Sequence, residues 1–370
     1  APLVHWADTT MVQSTANIAV AYCNFGISLR QIPALLKLSS RVGWFMIISR
    51  TPVRVSFCGG GTDLDSFAKK IEGGGMVISV AIAKYIHVTV NNRFDSKIRL
   101  SYSKMETVNT VEEIEHDLVR EALKATGISN GIEITTIADI PSRGTGLGSS
   151  SAVTVGVLNA LHRHIGRDVS SQHLAEGACE IEIDKLGEPI GRQDQYAAAF
   201  GGMNRISFNP DGVEVSPIAL SGDIVERMER EFSLVYTDNT RSASAVLSEP
   251  PLDHGDKIAR LRVIRDQAAE AEKLIRSGDL KSLGALLHEA WNVKRGLSPI
   301  VSNHNLDSLY ARLLELGANG GKLLGAGGGG FFLIHGDPDL RSRLIDGLPP
   351  ENKVIPLKID HDGSRIIHPT

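Results

Sequence analysis

The stretch PSRGTGLGSSSA, residues 141–152, decides how the fold and the function are interpreted. Three glycines alternate with other residues and three serines follow them directly, at Gly144, Gly146, Gly148, Ser149, Ser150 and Ser151. Glycine adopts positive φ angles readily and lets ligand atoms approach the backbone closely. The pattern therefore predicts a tight turn of bare backbone that ends in a row of hydroxyl groups.

A helix is predicted to begin at these serines, because Val153, Val157 and Leu161 recur every four residues before Gly166 ends the pattern. The first turn of a helix has free backbone N–H groups and the positive end of the helix dipole. A glycine turn that leads into such a helix is a natural anion site, above all for phosphate. The serine hydroxyls can also reach a magnesium ion held between phosphates. The alternative is a flexible loop with an ordinary serine N-cap.

Two other phosphate-binding patterns are disfavoured. The sequence contains no GxxxxGK[ST], and its nearest candidate, GANGGKL, has the wrong spacing and no hydroxyl after the lysine. The alternating glycines of residues 141–152 also differ from GxGxxG. Neither a P-loop nor a dinucleotide-binding turn is therefore expected.

Composition excludes several classes of protein. The chain has 370 residues, which suits two domains, and its 39 basic and 43 acidic residues give a net charge of −4. That balance gives no support to a nucleic-acid or membrane partner. Three widely spaced cysteines argue against a disulfide framework and favour a reducing, cytoplasmic location. No apolar run reaches the roughly eighteen residues that a membrane-spanning helix needs.

The first 45 residues contain only four charged side chains, far below the 22% of the whole chain. Met46 then opens MIISRTPVRVSF, a predicted strand. We expect the folded protein to begin near Met46 and residues 1–45 to be an extension that is not necessarily native. The alternative is an N-terminal helix around QIPALLKL that packs on the first domain.

Beyond the glycine–serine turn, the periodicity predicts an α+β protein without repeats. Strands are expected at 47–57, within KYIHVTVNN, and near 204–208 and 233–237. Helices are expected at about 173–186, in DQYAAAFGG, and at about 257–276, 280–296 and 305–316. A loop around 220–232 is expected to separate domains 46–225 and 226–370.

Phosphoryl transfer needs a metal ion to neutralise charge and a group that orients or deprotonates the attacking hydroxyl. The segment CEIEIDKLGEPIGRQDQY supplies carboxylates: Glu182 lies near the core-facing side of the predicted helix, and Asp194 begins the next one. Most acidic side chains are solvated, and the pattern alone does not favour these two over their neighbours.

Three ordered segments carry a resemblance to a known family: TPVRVSFCGGGTDL (51–64), PSRGTGLGSSSA (141–152) and KLLGAGGGGFFLI (322–334). Together with GRQDQYAAAFGG (191–202), they resemble the GHMP small-molecule kinases, the family of galactokinase, homoserine kinase and mevalonate kinase. The resemblance extends from about Met46 to the C-terminus. It implies an N-terminal domain like ribosomal protein S5 domain 2 and a ferredoxin-like C-terminal domain.

The resemblance also implies roles for individual residues. The turn, with Leu147, would hold the triphosphate of ATP, and Ser150 and Glu182 would bind Mg²⁺. Asp194 would take the proton of the substrate hydroxyl, and Arg54 would stabilise charge at the reacting oxygen. Two further sets are implied, a sugar-binding corner at Gly61, Thr62 and Asp63 and a supporting glycine loop at Gly325, Gly327, Gly328 and Gly329.

The glycine-rich form of the first segment carries a closer resemblance, which implies the substrate. CGGGTDL stands where galactokinase has GEHTDY, and this form is most similar to bacterial kinases of D-glycero-D-manno-heptose 7-phosphate, then to L-fucose kinases. These enzymes phosphorylate the anomeric hydroxyl of a sugar. A phosphorylated substrate would need a second anion site, with unranked candidates Arg50, Arg143, Arg192, Arg241 and Lys294.

Other functions stay open at this point. The chain could be a non-catalytic sensor that binds sugar and ATP, although the presence of the four implied catalytic and metal-binding side chains disfavours this. A non-sugar substrate such as mevalonate or homoserine is disfavoured by Asp63, since a carboxylate can accept hydrogen bonds from two neighbouring hydroxyls.

Overall fold

The computed structural model describes residues 46–141, 144–238 and 255–368. The expectations for residues 1–45, Arg143 and Arg241 lie outside the described residues. The described chain is α+β, as predicted, with helices packed on two β-sheets.

The first sheet contains eight strands among the described residues. They are β1 Ile47–Cys58, β2 Gly75–Asn92, β3 Ile98–Ser101, β4 Met105–Val108, β5 Ile132–Ala138, β6 Met203–Asn209, β7 Gly212–Pro217 and β12 Arg365–His368. The order is β12-β1-β2-β5-β3-β4, and β6 pairs with β2 and β7. Only β3 and β5 pair in parallel within this described sheet.

The second half of β1, TPVRVSFC, is buried on both faces, although Arg54 and Ser56 alternate there with apolar residues. Its pairing with β2 is irregular between Pro52 and Val53. Proline has no N–H to donate to a ladder and is therefore tolerated at such irregularities. The strand resumes its register at Val53, directly before Arg54.

The second sheet contains four antiparallel strands in the order β11-β8-β10-β9 among the residues described. They are β8 Phe232–Tyr236, β9 Gly320–Leu323, β10 Phe331–His335 and β11 Val354–Pro356. The strand expected at 233–237 is confirmed as β8. The four-stranded antiparallel sheet with its helices agrees with the implied ferredoxin-like architecture.

The α-helices of the described residues include six that were predicted, one of them with a different end, and four that were not. They are α1 Asp65–Ala68, α2 Asp117–Thr126, α3 Ser149–His164, α4 Ser171–Cys179, α5 Gln193–Phe200, α6 Gly222–Glu231, α7 Gly255–Ser277, α8 Leu280–Arg295, α9 His304–Glu315 and α10 Leu340–Gly347. Helix α3 packs on β1 and β2, and α7 packs on α8 and β2. These contacts bring the glycine–serine turn, β1 and the C-terminal helices close together.

The prediction of a loop around 220–232 is wrong, because helix α6 occupies most of this segment. Ser221 caps the helix by accepting a hydrogen bond from the Ile224 N–H. Charged residues dominate its sequence, so the apolar pair Ile224 and Met228, one helical turn apart, is easily missed. The domain boundary near residue 225 stays a prediction.

The helix expected at 173–186 has a different form at its end. The α-helical part stops at Cys179, and Glu180–Lys185 form a π-helix. Such wide turns are rare and occur frequently at functional sites. Here the wide turn contains Glu182.

Candidate active site

One cavity of about 530 Å³ brings most of the predicted site residues together. The predicted residues that line it are Arg54, Gly61, Asp63, Gly144, Gly146, Gly148, Ser149, Ser150, Ser151, Glu182, Asp194, Gly325, Gly327 and Gly329. They come from β1, the start of α3, the π-helix, α5 and the loop between β9 and β10. Five separate stretches of sequence therefore converge on one site.

Three predicted site residues are not brought to the cavity. The Thr62 hydroxyl donates to the carbonyls of Gly59 (2.7 Å) and Met76 (3.0 Å), so it stabilises the backbone of its own corner. Leu147 is buried, and its carbonyl accepts a hydrogen bond from the Arg54 N–H. Gly328 donates its N–H to the Val301 carbonyl.

The glycine–serine turn has the backbone that its sequence predicts. Gly144, Gly146 and Gly148 have φ angles of 69°, 73° and 71°, in the left-handed region that favours glycine. Helix α3 begins directly afterwards, and the Ser150 side chain is exposed at the cavity. The turn thus presents helix N–H groups and a hydroxyl to one end of the cavity.

The third glycine segment packs directly on this turn. A Cβ atom on Gly146 would lie 2.6 Å from the Leu324 carbonyl oxygen, and one on Gly325 would lie 2.4 Å from the Gly146 Cα. Real Cβ atoms do not approach backbone so closely, so glycine is required on both sides. The segment supports the turn through contact between the two backbones.

Arg54 and Asp194 form an ion pair at the cavity wall. The Arg54 Nε and Nη2 atoms lie 2.8 Å and 2.6 Å from Asp194 Oδ1, and Arg54 is only 3% exposed. The Arg54 Nη1 atom also donates to the Gly146 carbonyl at 2.5 Å. A Cβ atom on Gly148 would lie 3.0 Å from the Asp194 carboxyl group. The pair therefore holds a carboxylate directly beside the proposed phosphate turn.

Glu182 is a buried carboxylate, 1% exposed. It accepts hydrogen bonds from the hydroxyls of Ser151 (2.8 Å) and Thr154 (3.0 Å) and from the Gln195 amide. Burial raises its pKa to about 7, and the negative charge of Asp194 contributes, although the three donors oppose the shift. Its neighbours Glu176, Glu180 and Asp184 are exposed, so burial distinguishes Glu182 from them.

The raised pKa of Glu182 predicts a pH dependence of stability. Between pH 4.5 and about 7 the folded state keeps a proton on Glu182 that the unfolded state releases. The free energy of unfolding of the wild type therefore falls as the pH rises through this window. From pH 5 to pH 8 we expect the wild type to lose about 2–3 kcal/mol of unfolding free energy that Glu182→Gln, which has no titrating group at this position, does not lose. Denaturant unfolding of both proteins at the two pH values measures this difference. A difference that does not change with pH would contradict a neutralised Glu182.

Asp63 lies in the turn that follows β1, in close contact with the segment before α5. Its carboxylate accepts hydrogen bonds from the N–H groups of Gly61 (2.9 Å) and Gln193 (3.2 Å) and is 2% exposed. Burial and then the charge of Asp194 raise its pKa. A Cβ atom on Gly191 would lie 1.8 Å from Asp63 Oδ2. Gly191 therefore allows the corner and the start of α5 to meet.

A buried lysine that was not predicted from the sequence, Lys322, also lines the cavity. Its Nζ atom donates to the carbonyls of Ser56 (3.1 Å) and Phe57 (2.9 Å), which joins β9 to β1. Burial lowers its pKa to about 8. The available signal is a single lysine between glycines and leucines in GGKLL.

Among the residues that the structure describes, no helix has the length and apolar character to cross a bilayer.

This chain is similar to known proteins over most of its length. Residues 106–202 match the GHMP kinases N terminal domain, and residues 271–352 match the GHMP kinases C terminal domain. D-glycero-alpha-D-manno-heptose 7-phosphate kinase of Campylobacter jejuni is 32% identical over 323 residues, covering 82% of this chain and 94% of that protein.

Two further proteins are similar to this chain at lower sequence identity. The bifunctional fucokinase/GDP-fucose pyrophosphorylase of Arabidopsis thaliana is 27% identical over 311 residues, covering 76% of this chain but only 29% of that protein. A solved D-glycero-D-manno-heptose 1-phosphate kinase from Bacteriodes thetaiotaomicron has the same fold, with a TM-score of 0.71 at 24% identity over 86% of this chain and 98% of that one. The two matched domains, their order and the extent of the Campylobacter similarity show that this chain belongs to the GHMP kinase family.

Proposed function

We propose that the protein is an ATP- and Mg²⁺-dependent kinase that phosphorylates the anomeric hydroxyl of D-glycero-D-manno-heptose 7-phosphate and forms the 1,7-bisphosphate. The observation that carries the proposal is the Arg54–Asp194 pair beside the glycine–serine turn. In-line transfer requires the acceptor hydroxyl and the γ-phosphate to be adjacent, and this arrangement supplies a carboxylate next to a phosphate site.

The reaction assigns one task to each member of the pair. Asp194 accepts the proton of the anomeric hydroxyl as its oxygen bonds to the γ-phosphorus of ATP. The bond between that phosphorus and the β–γ bridging oxygen breaks, and ADP leaves with the bonding electrons. Arg54 holds the Asp194 carboxylate in place and offsets the negative charge that develops near the transferring phosphoryl group.

The residues at the turn fit a magnesium ion. The Ser150 hydroxyl is exposed at the cavity, and Glu182 is a buried carboxylate that accepts three hydrogen bonds out of about four lone-pair sites. Carboxylate, hydroxyl and phosphate oxygens are the ligands that Mg²⁺ prefers, so Ser150 and Glu182 would hold it. When bound, Mg²⁺ neutralises phosphate charge and orients the triphosphate.

Ser150→Ala is expected to raise the Mg²⁺ concentration needed for half-maximal activity by about tenfold. It removes one metal ligand, whose contribution to binding is comparable to that of one charged hydrogen bond. The sugar KM should change much less, because the helix start keeps its backbone. Magnesium titrations of the wild type, Ser150→Ala and Ser149→Ala measure this. Ser149 is the matched control, since it is buried and its hydroxyl contacts that of Thr145 at 3.3 Å. An unchanged magnesium requirement in Ser150→Ala would remove this serine from the metal site.

The substrate is tested by comparing kcat/KM for heptose 7-phosphate, L-fucose and D-galactose with ATP and Mg²⁺. We expect the phosphorylated heptose to be preferred by roughly a hundredfold or more, as two charged hydrogen bonds to its phosphate would give. Equal or better use of a free sugar would defeat the heptose assignment and favour a fucose-type 1-kinase, which the Arabidopsis similarity supports. Binding of sugar and ATP without turnover of any sugar would favour the sensor.

A further inference from the structure

The cationic side chains near the cavity differ in whether a carboxylate already pairs with them. Arg192 is bound through two nitrogens to Asp65, both at 2.9 Å. Arg50 lies outside the cavity lining, with Asp360 and Asp362 at 3.8 Å and 3.9 Å. Neither residue has its charge available for a cavity ligand.

Lys294 of α8 is different. It lines the cavity, and its Nζ atom donates to the carbonyls of Leu323 (3.0 Å) and Gly325 (2.5 Å). An ammonium group has three N–H donors, so one remains for a ligand. Within the described residues, Lys294 forms no ion pair with a carboxylate.

The charges that act on Lys294 are positive. Its pKa is lowered well below the usual value by burial, then by Lys322 and Arg54. Lys322 likewise bonds only to backbone carbonyls among the residues described. Lys294 is half-buried and Lys322 is buried. A cation that is partly or wholly removed from water without a counter-ion is costly, and an anionic ligand offsets that cost.

Apolar side chains of the C-terminal helices line the cavity together with Lys294. Ile264, Ala290 and Leu297 line the same part of the C-terminal helices, and α7 approaches the sugar corner where a Cβ atom on Gly61 would lie 3.2 Å from the Leu261 side chain. Asp194 of α5 and Lys294 of α8 line the same cavity. A phosphorylated sugar bound there can thus contact both residues.

We propose that Lys294, supported by Lys322, binds the phosphate group that the acceptor sugar already carries. The inference rests on the proposed function, because it names the residue that selects a phosphorylated over a free sugar. One charged hydrogen bond corresponds to roughly a 10- to 100-fold preference.

The test compares two substrates in three proteins. The proteins are the wild type, Lys294→Gln and, as the matched control, Lys281→Gln, which changes an exposed lysine of the same helix. The kcat/KM for heptose 7-phosphate should fall 10- to 100-fold in Lys294→Gln, while that for the unphosphorylated heptose and the ATP KM should change less than about threefold. An equal loss with both sugars would overturn the inference, because Lys294 would then act on ATP or on the transferring phosphoryl group.

Binding without ATP separates this inference from the proposed function. Calorimetric titration of the wild type with heptose 7-phosphate and with free heptose should show a preference for the phosphate that Lys294→Gln loses. Wild-type binding of both sugars with equal affinity would overturn the inference, whether or not the protein is an active kinase. Lys294→Met, which keeps the apolar stem without the charge, serves if the glutamine variant does not fold.

Discussion

Asp194→Asn is expected to lower kcat by roughly 100-fold or more, the loss typical of removing a general base. Both strong contacts from Arg54 go to Asp194 Oδ1, and the asparagine Oδ1 can accept them in the same place. The amide cannot accept the proton of the acceptor hydroxyl. The fold and ATP binding should therefore stay nearly intact while turnover is lost.

Steady-state kinetics and calorimetric ATP binding measure the two parts of this expectation. Asp95→Asn is the matched control, since Asp95 is exposed, pairs with Arg93 and does not line the cavity, and exposed pairs contribute little. A kcat of Asp194→Asn near the wild-type value would show that another group takes the proton.

Gly146→Ala is expected to lower kcat/KM for ATP by roughly 100-fold or more, because it separates the phosphate turn from the loop that supports it. The added Cβ atom would lie 2.6 Å from the Leu324 carbonyl oxygen and 2.8 Å from its carbon, at a φ of +73°. Both contacts are backbone, which cannot rotate away as a side chain can. The turn, the loop or both must move.

Gly127→Ala separates this steric effect from backbone strain. Gly127 has a φ of +74°, almost identical to that of Gly146, but nothing lies within 4 Å of its added Cβ atom. It should lose only about 1–2 kcal/mol of stability from the left-handed conformation and keep its ATP kinetics. If the two variants had equal ATP kinetics, contact between the turn and the loop would not matter for nucleotide binding.

The sequence predicts those parts of the site that depend on local chemistry. The glycine turn, the helix after it and the start of α5 near Asp194 all follow from residues adjacent in the chain, whereas the role of Asp194 is implied only by the family resemblance. Alternating glycines force a particular backbone, and apolar periodicity indicates a helix, so neither feature needs knowledge of the tertiary structure.

The remaining features depend on contacts between distant segments. Glu182 is buried, and its carboxyl group is satisfied there by Ser151 and Thr154, which lie about thirty residues earlier and donate to it from α3. Nothing in the local pattern distinguishes it from the exposed Glu180. The π-helix that contains it is likewise missing from a prediction based on a period of 3.6 residues.

Thr62 and Lys322 are two polar residues whose roles depend on tertiary contacts that the sequence does not reveal. Thr62 has the polar side chain expected of a sugar ligand, but its hydroxyl bonds to the Gly59 and Met76 carbonyls. Lys322 lies in a strand with apolar neighbours, yet the pairing of β9 with β10 and its bonds to β1 bring its ammonium group to the cavity wall. Residue type alone does not say which polar group a fold uses for itself.

The most direct test of the proposed function is the identity of the product formed from ATP and heptose 7-phosphate in the presence of Mg²⁺. Mass spectrometry and phosphorus NMR should show ADP and a bisphosphate whose new phosphorus couples to the anomeric proton. Formation of no ADP beyond the sugar-free control, or phosphate on any other hydroxyl, would contradict an anomeric sugar-phosphate kinase.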